Sequence, residues 1–372
     1  MSKAAELAKS GDTLTNQPSG RKNIVTNGAM QVAQRSTSET GLGASDGYFT
    51  CDRWRTFLAG TAGRFTMTQT ADGPSGFANC IKLDCTTADT SLAATERLTL
   101  LQVFEGQDVQ QLKKGTSDAE SVTVSFYVKG DQAATYVCEL SDADNSRMNG
   151  QAFSVTTDWN RIELTFAGDT TGAFDDDNAA SLFMGIWLHA GSNFTSGTFA
   201  SNTWTSITNA NRYAGSKTSF FDSTDREFFL TGVQLEIGSQ ATNFEHRSFG
   251  EELALCQRYC QRFPAQDQAD AGDFSFMCMG YNATTTEQEA SFPLPVTMRI
   301  EPTGTFSGNW RVLHAATATA VSSGPVLTDA GCTNSALLIS STVGSTALTV
   351  GQASGLGQND DVDAHLILTA EL

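Results

Sequence analysis

From Asn23 to Phe249, apolar residues recur at every second position, in segments separated by turn signals rather than by helices. Val122, Val124, Phe126 and Val128 face together, and the same alternation recurs in Arg161–Phe166 and Phe183–Leu188. A period of two belongs to a strand with one face on a core. Strands are expected at 23–33, 52–58, 63–70, 79–86, 93–104, 120–129, 134–142, 150–156, 159–167, 181–189 and 226–237. Asp72–Gly73–Pro74, Lys129–Gly130–Asp131, Asp144–Asn145 and Gly168–Asp169 supply the turns. Many short strands without intervening helices predict a sandwich or barrel.

The pattern changes once. In Glu227–Ile237, Phe229, Thr231, Val233, Leu235 and Ile237 are expected on one face, with Phe228, Leu230, Gly232, Gln234 and Glu236 on the other. From Gly250 the spacing becomes i, i+3, i+4. Leu253, Cys256, Tyr259 and Cys260 then share one face of a helix over 250–262, with Glu251 and Glu252 at its start, Arg258 and Arg262 at its end and Pro264 stopping it. Beyond it, Phe274–Gly280, Glu287–Phe292, Met298–Thr305, Trp310–Leu313, Ala336–Ser341, Ala347–Val350 and Ala364–Glu371 read as strands of a second small β-sandwich.

With 372 residues the chain has room for two or three domains. The division is 1–22, 23–249, 250–262 and 263–372: a short helical segment with its linker, a β-sandwich, a connecting helix and a C-terminal β domain. The fold class is mainly β. A formal charge of −18, with no Lys/Arg block, argues against a nucleic-acid partner. The sequence has no run of about 18 apolar residues, so no membrane-inserted helix is expected. The first residues, MSKAAELAKSGD, lack the apolar core of a secretory signal, so the protein is expected to be made in a cytoplasm and not secreted. Cys51, Cys80, Cys85, Cys138, Cys256, Cys260, Cys278 and Cys332 are scattered without a CxxC pair, which predicts reduced, buried thiols.

No enzymatic motif survives inspection: GxSxG, HExxH, P-loop and GxGxxG patterns are absent, and the four histidines lie far apart. The protein is therefore expected not to be an enzyme and to need no cofactor. Asp175, Asp176 and Asp177 form the best candidate for a structural Ca²⁺, against the blander reading of a solvated turn. The run Asn359, Asp360, Asp361 with Asp363 is a second such cluster. Residues 190–225 form a long Ser/Thr/Asn/Gly-rich stretch carrying Trp204 and Tyr213. These two rings, with Trp310 in the C-terminal domain, are the candidate ligand-binding aromatics. The alternative for Trp204 and Tyr213 is that they fasten the loop to the sheet or to a neighbouring subunit.

Three segments carry a family resemblance. NIVTNGAMQVAQR (Asn23–Arg35), SVTVSFYVKGD (Ser121–Asp131) and GVQLEIGSQATNFEHRSFGEELALCQRY (Gly232–Tyr259) resemble the opening, central and closing segments of the β-sandwich module in bacteriophage tail-fibre, head-fibre and other virion appendage proteins. The resemblance spans residues 20–262. It implies a jelly-roll sandwich of carbohydrate-binding-module type, a homotrimer and a place in a virion. The N-terminus, with Ala4, Ala5, Leu7 and Ala8, would dock on tail, portal, adaptor or capsid proteins. The C-terminal domain would be distal and would meet a host surface glycan or protein. Related modules carry a loop near 190–225, which favours the structural role for its aromatics. In carbohydrate-binding jelly rolls a structural Ca²⁺ often sits between the first and last strands, which would bring it near Asn27 and Glu236. A capsid decoration or assembly protein without a receptor, and a free-standing carbohydrate-binding protein, are the alternatives.

Overall fold

The computed structural model describes residues 21–264 and 276–372. The expected N-terminal anchor, with Ala4, Ala5, Leu7 and Ala8, lies outside the described residues. The chain divides into two compact units, one running through Glu252 and the other from Leu253 to Glu371.

The first unit is the expected β-sandwich. Its strands are β1 (Ser38–Leu42), β2 (Gly47–Tyr48), β3 (Arg55–Ala59), β4 (Arg64–Thr70), β5 (Cys80–Thr87), β6 (Arg97–Glu105), β7 (Val122–Gly130), β8 (Ala134–Asp142), β9 (Arg147–Val155), β10 (Asn160–Phe166), β11 (Ala180–Ala190), β12 (Thr205–Ser206) and β13 (Glu227–Ile237). One sheet runs β1-β4-β5-β13-β7-β10 and the other β12-β9-β8-β11-β6-β3-β2. All the strand pairings in both sheets are antiparallel. The alternating residues meet between the sheets: Val122, Val124, Phe126 and Val128 of β7 join Leu98 and Leu100 of β6, Tyr136 and Leu140 of β8 and Met184 of β11 in one core. Burying each such side chain contributes about 1.5–3 kcal/mol.

The opening segment departs from expectation. Residues 23–33 form no strand. They are tied down by side chains together with two backbone bonds to β13, Ile24 N–H to Leu235 O and Val233 N–H to Gly28 O, each at 2.9 Å. Asn23 Nδ2 donates to Val233 O at 3.2 Å, and its Oδ1 accepts the Leu235 and Val25 N–H groups at 3.1 and 3.0 Å. The buried Asn27 amide donates to Val32 O and Asp52 O, and its oxygen accepts the Val32 N–H. Asn27 itself has φ +57°, a conformation that short amide side chains tolerate. Gly28 passes so close to β13 that a Cβ would lie 2.1 Å from Val233 O.

β13 also corrects the expected faces. Its register against β7 slips between Thr231 and Gln234, at Gly232 with φ +61°. A bulge at that point reverses the alternation. Phe228, Leu230, Val233 and Leu235 all reach the core, and Phe229, Thr231, Gln234 and Glu236 turn outward.

The helix is shorter than its periodicity predicts. It spans Phe249–Gln257, here called α1. Ser248 and Glu251 form a capping box: Ser248 N–H donates to Glu251 Oε2 at 3.2 Å, and Glu251 N–H donates to Ser248 Oγ at 3.4 Å. Leu253 is half-buried and Cys256 buried on this helix. Tyr259 and Cys260, expected on the same helical face, lie beyond it. Cys260 opens strand β14 (Cys260–Pro264), which pairs with the last strand of the chain. The 3.6-residue spacing continues past Gln257, but pairing across the sheet takes precedence over it.

In the second unit the remaining strands are β15 (Phe276–Asn282), β16 (Glu287–Pro293), β17 (Thr303–Ser307), β18 (Trp310–His314), β19 (Thr317–Leu327), β20 (Ala336–Val343), β21 (Ala353–Gln358) and β22 (His365–Thr369). β14-β22-β17 form a three-stranded sheet, and β15-β16-β20-β19-β18-β21 close into a barrel. The mainly-β class therefore extends through this unit, with a barrel where sheets stacked as a sandwich were anticipated. Met298 precedes rather than opens β17, and Ala347–Val350 is loop. β19, whose residues are mostly exposed Thr, Ala and Ser, has no apolar alternation to announce it. Its ladder partners β18 and β20 define it instead. Among the described residues, no helix is long and apolar enough to cross a membrane.

Candidate glycan-binding surface

The sequence-level candidates separate when placed on the fold. Tyr213 is buried, with its hydroxyl donating to Thr218 O at 2.6 Å and its ring stacked near Trp187 at 6.3 Å. Trp310 is buried too, its indole N–H donating to Ser307 O at 2.9 Å and its ring meeting Phe306 edge-on. Neither presents a face to a ligand. Trp204 is half-buried against the sandwich core, its indole N–H spent on Ala167 O at 2.7 Å.

The long segment after β11 covers the outer face of the seven-stranded sheet. Arg212 pairs with the buried Glu139 of β8 and lies over the Trp187 ring, 4.8 Å from its centroid. Phe194 packs on Trp187 at 5.4 Å. Phe199 lies against Gly150 of β9, where an added Cβ would come within 3.3 Å of the ring. Phe194, Phe199 and Tyr213 thus pack this segment onto the sheet.

The carboxylates behave likewise. Asp175, Asp176 and Asp177 are exposed and do not converge. Asp177 Oδ1 caps the Ala179 N–H, and the Asp175 and Asp177 carbonyls accept from Gln110 and Gln107. Asp361 caps Asn309 and Asp363 backbone N–H groups. The Glu236 carboxylate is taken by Thr242 and Gln234, and the Asn27 side chain by backbone groups. Among the described residues, no three His, Cys, Asp or Glu side chains are grouped to hold a metal ion. The candidate Ca²⁺ ligands are therefore not brought together among the described residues.

Two carboxylates that do converge have a cation of their own. Lys114 Nζ lies 2.5 Å from Asp142 Oδ2 and 3.2 Å from Asp169 Oδ2, and donates to the Thr171 and Gly172 carbonyls at 2.7 Å each. Arg147 completes the cluster with two bonds to Asp169, at 2.5 and 2.9 Å. Burial pushes the Asp169 carboxyl up, but the Arg147 bond, the Lys114 charge and the Thr171 N–H together hold it below the usual carboxylate range. Beside this cluster an open cavity of about 410 Å³ is walled by Gln110, Lys113, Thr116, Asp118 and Phe174. Its polar side chains already have partners: Lys113 with Glu120 at 2.6 Å, Gln110 Nε2 with Asp175 O at 3.0 Å and Thr116 Oγ1 with Lys113 O at 2.7 Å.

A hydrogen-bonded line of Ser219, His189 and Glu96 also escaped the sequence, since the three residues come from distant strands and loops. His189 Nδ1 is 2.8 Å from Ser219 Oγ, and Nε2 is 3.3 Å from Glu96 Oε2. The imidazole is fully buried against Phe221, so no reactant reaches it. Burial holds its basicity below the usual histidine value, despite Glu96 and Asp89.

The outer face of the six-stranded sheet carries an aromatic strip at its edge, while Thr231 and Gln234 at its centre are buried. Register places Lys82, Phe229 and Lys129 in one cross-strand row on β5, β13 and β7, with Trp159 next to it at the start of β10. Thr231, Tyr127 and Arg161 form the next row. Trp159 and Tyr127 are half-buried, and so is Phe77, whose ring lies 5.2 Å from Tyr127. Phe244 and His246 continue the aromatic strip at 5.0 and 5.2 Å from Phe77. Gly232 makes this possible, because a Cβ there would meet the Phe77 ring at 2.7 Å and the Tyr127 ring at 2.9 Å. The flanking cations are paired: Lys82 with Glu227 at 2.6 Å, Lys129 with Asp72 at 2.7 Å and Arg161 with Glu163 at 3.0 Å. Lys129 Nζ lies over the Phe229 and Trp159 rings, 4.5 and 5.4 Å from their centroids, so the half-buried Trp159, Tyr127 and Phe77 form an aromatic strip edged by paired charges. The signal in the sequence was present: Tyr127 is the aromatic that breaks the apolar alternation of Val122–Val128.

No family model and no curated protein matches the chain. Solved structures do. A structure described as "CBM4 structure and function" matches over 57% of this chain and 99% of its own, with 12% identity and a TM-score of 0.33. The enzymatically active domain of bacteriophage CBA120 tailspike protein 4 matches over 58% of this chain and 21% of its own, with 11% identity and a TM-score of 0.31. A family 11 carbohydrate-binding module from Clostridium thermocellum, in complex with a β-1,3-1,4-mixed-linked tetrasaccharide, matches over 57% and 99%, with 11% identity and a TM-score of 0.28.

Proposed function

We propose that the protein is a non-catalytic component of a phage virion, a tail or head fibre, that contacts glycan on the host surface. The observation that carries this reading is the convergence of the three segments of family resemblance. Ser121–Asp131 contains β7, which pairs with the β13 strand of the closing segment. The opening segment is bound to that same strand through Asn23, Ile24 and Gly28. Three motifs distant in sequence therefore build one hydrogen-bonded unit, as parts of a single module would.

Glycan contact is assigned to the aromatic strip of Trp159, Tyr127 and Phe77, and further host contact to the C-terminal barrel, where Met279 and Tyr281 are exposed. Assembly as a trimer, attachment through the N-terminus and release from the host cytoplasm into a virion belong to the same proposal. Antibody labelling of purified particles tests virion location: absence of label from every particle overturns it. Glycan-array binding by the full chain tests the second part. A hit that disappears in Trp159→Ala and Tyr127→Ala, with the fold retained, supports the strip. A hit that survives both moves the site elsewhere. A monodisperse monomer by light scattering removes the trimer.

A further inference from the structure

The interior of the C-terminal barrel contains hydrogen-bonding side chains where a small barrel is ordinarily filled by apolar ones. Asn282 of β15, Gln288 of β16 and Ser341 of β20 are register partners across three neighbouring strands. Ser354 of β21 faces Gly280 of β15 on one side and His314 of β18 on the other. Asn282 and Gln288 are 0% exposed, Ser341 1% and Ser354 2%. Gln288 Nε2 and Oε1, Asn282 Oδ1, Ser341 Oγ and Ser354 Oγ have no hydrogen-bond partner within the protein. Along β20, Ser341 stands between Ile339 of one apolar cluster and Val343 of another.

A buried amide or hydroxyl left unbonded is strongly unfavourable, and native interiors leave few of them. Five such atoms on four side chains therefore call for a bound partner. Its chemistry follows from theirs. None of the five belongs to a charged group, so an ion has no counter-charge among them. Gln288 requires a ligand that accepts from Nε2 and donates to Oε1, Asn282 requires a donor, and the serine hydroxyls take either role. A small neutral molecule that both donates and accepts satisfies all of them.

We propose that the barrel binds a cluster of internal water molecules at Asn282, Gln288, Ser341 and Ser354, as a fixed part of its core. A buried water makes about three hydrogen bonds, so roughly two waters match the unpartnered atoms. The loop after β20 closes the site, with Leu348 packed beside Val312 and Val343 and Thr349 O accepting from Asn282 Nδ2 at 3.0 Å.

The test is a high-resolution crystal structure of the full chain, with a second structure of Gln288→Met. The expected result is water density within hydrogen-bond distance of Gln288, Ser341 and Ser354 in the parent, with loss of the water held by Gln288 in the variant. Side chains rotated to bond one another around a dry interior overturn the proposal, and so does density for an ion or an organic solute. If Gln288→Met does not fold, the density of the parent still decides.

Discussion

Lys114 Nζ sits 2.5 Å from Asp142 Oδ2, with both side chains withdrawn from solvent. Lys114 follows the short helical turns after β6, and Asp142 ends β8. The pair, together with Asp169, joins the loop before β11 to the end of the sheet. Removing one partner of such a group leaves uncompensated charge in a poorly solvated place. Lys114→Met is expected to cost about 3–5 kcal/mol, read as a lowered midpoint in urea unfolding. A variant as stable as the parent would show that the pair contributes nothing net.

The same cluster sets an acid limit. Asp169 is held below the ordinary carboxylate range in the folded protein, so the unfolded chain takes up its proton first as pH falls. Its contribution to stability is complete above the unfolded carboxylate value of about 3.9 and is lost as pH drops through the folded value. Unfolding midpoints measured from neutral to acid pH should fall in that window, and Asp169→Asn should flatten the slope there.

All eight cysteines are buried, and none is in a disulfide. Burial pushes Cys85 up to about 11 and Cys80 and Cys278 up to about 12. A thiol reagent at neutral pH is expected to label none of them in the native protein and all in denaturant. The raised values also predict alkaline weakening. The unfolded chain ionises near the ordinary thiol value of 9.0, so stability is intact below it and declines as pH rises toward about 11. Rapid labelling of the native protein would contradict the burial.

Gly28→Ala tests the seam between the opening segment and β13. The added Cβ would lie 2.1 Å from Val233 O, a backbone atom that cannot move without disturbing the Val233 N–H bond to Gly28 O. A loss of about 1–3 kcal/mol is expected from such overpacking, measured as a drop in Tm. An unchanged Tm would mean that the seam yields.

Tyr213→Ala and Trp159→Ala should divide cleanly. Tyr213 is a core ring, so its truncation is expected to cost about 3–5 kcal/mol of stability while leaving glycan affinity unchanged below the unfolding transition. Trp159 is half-buried beside the outer face of the six-stranded sheet, so under the proposed function its truncation should reduce glycan affinity more than stability. The reverse outcome would return ligand binding to the loop after β11.

The strands of the sandwich were legible because burial on one face imposes a period of two, and β7, β8, β10 and β11 follow it closely. β13 shows where the reading ends. One extra residue at Gly232 turns Val233 and Leu235 inward and Gln234 and Glu236 outward, and only the partner strand reveals the slip. Cys260 is a second case: its spacing from Cys256 fits a helix, but it pairs with Thr369 more than a hundred residues later. The aromatics were legible as residues and not as roles. Tyr213 and Trp310 stood as candidates because sequence does not register burial, and Trp204, half-buried like Trp159, proves to spend its indole N–H on Ala167 O.

The sequence by itself determined a mainly-β chain, the stretch that forms the sandwich, the absence of a recognised catalytic motif and the resemblance carried by three segments. These are local properties: a side-chain period, a turn composition, a short ordered string. Tertiary structure alone decided that the opening segment is held to β13 by the Asn23 side chain and single backbone bonds at Ile24 and Gly28 rather than by a regular ladder, that the last strands close into a barrel and that Lys114 is the cation between Asp142 and Asp169. It also decided which sheet face carries the strip of Trp159, Tyr127 and Phe77. Each of those depends on atoms brought together from distant parts of the chain, and distance in sequence carries no record of distance in space.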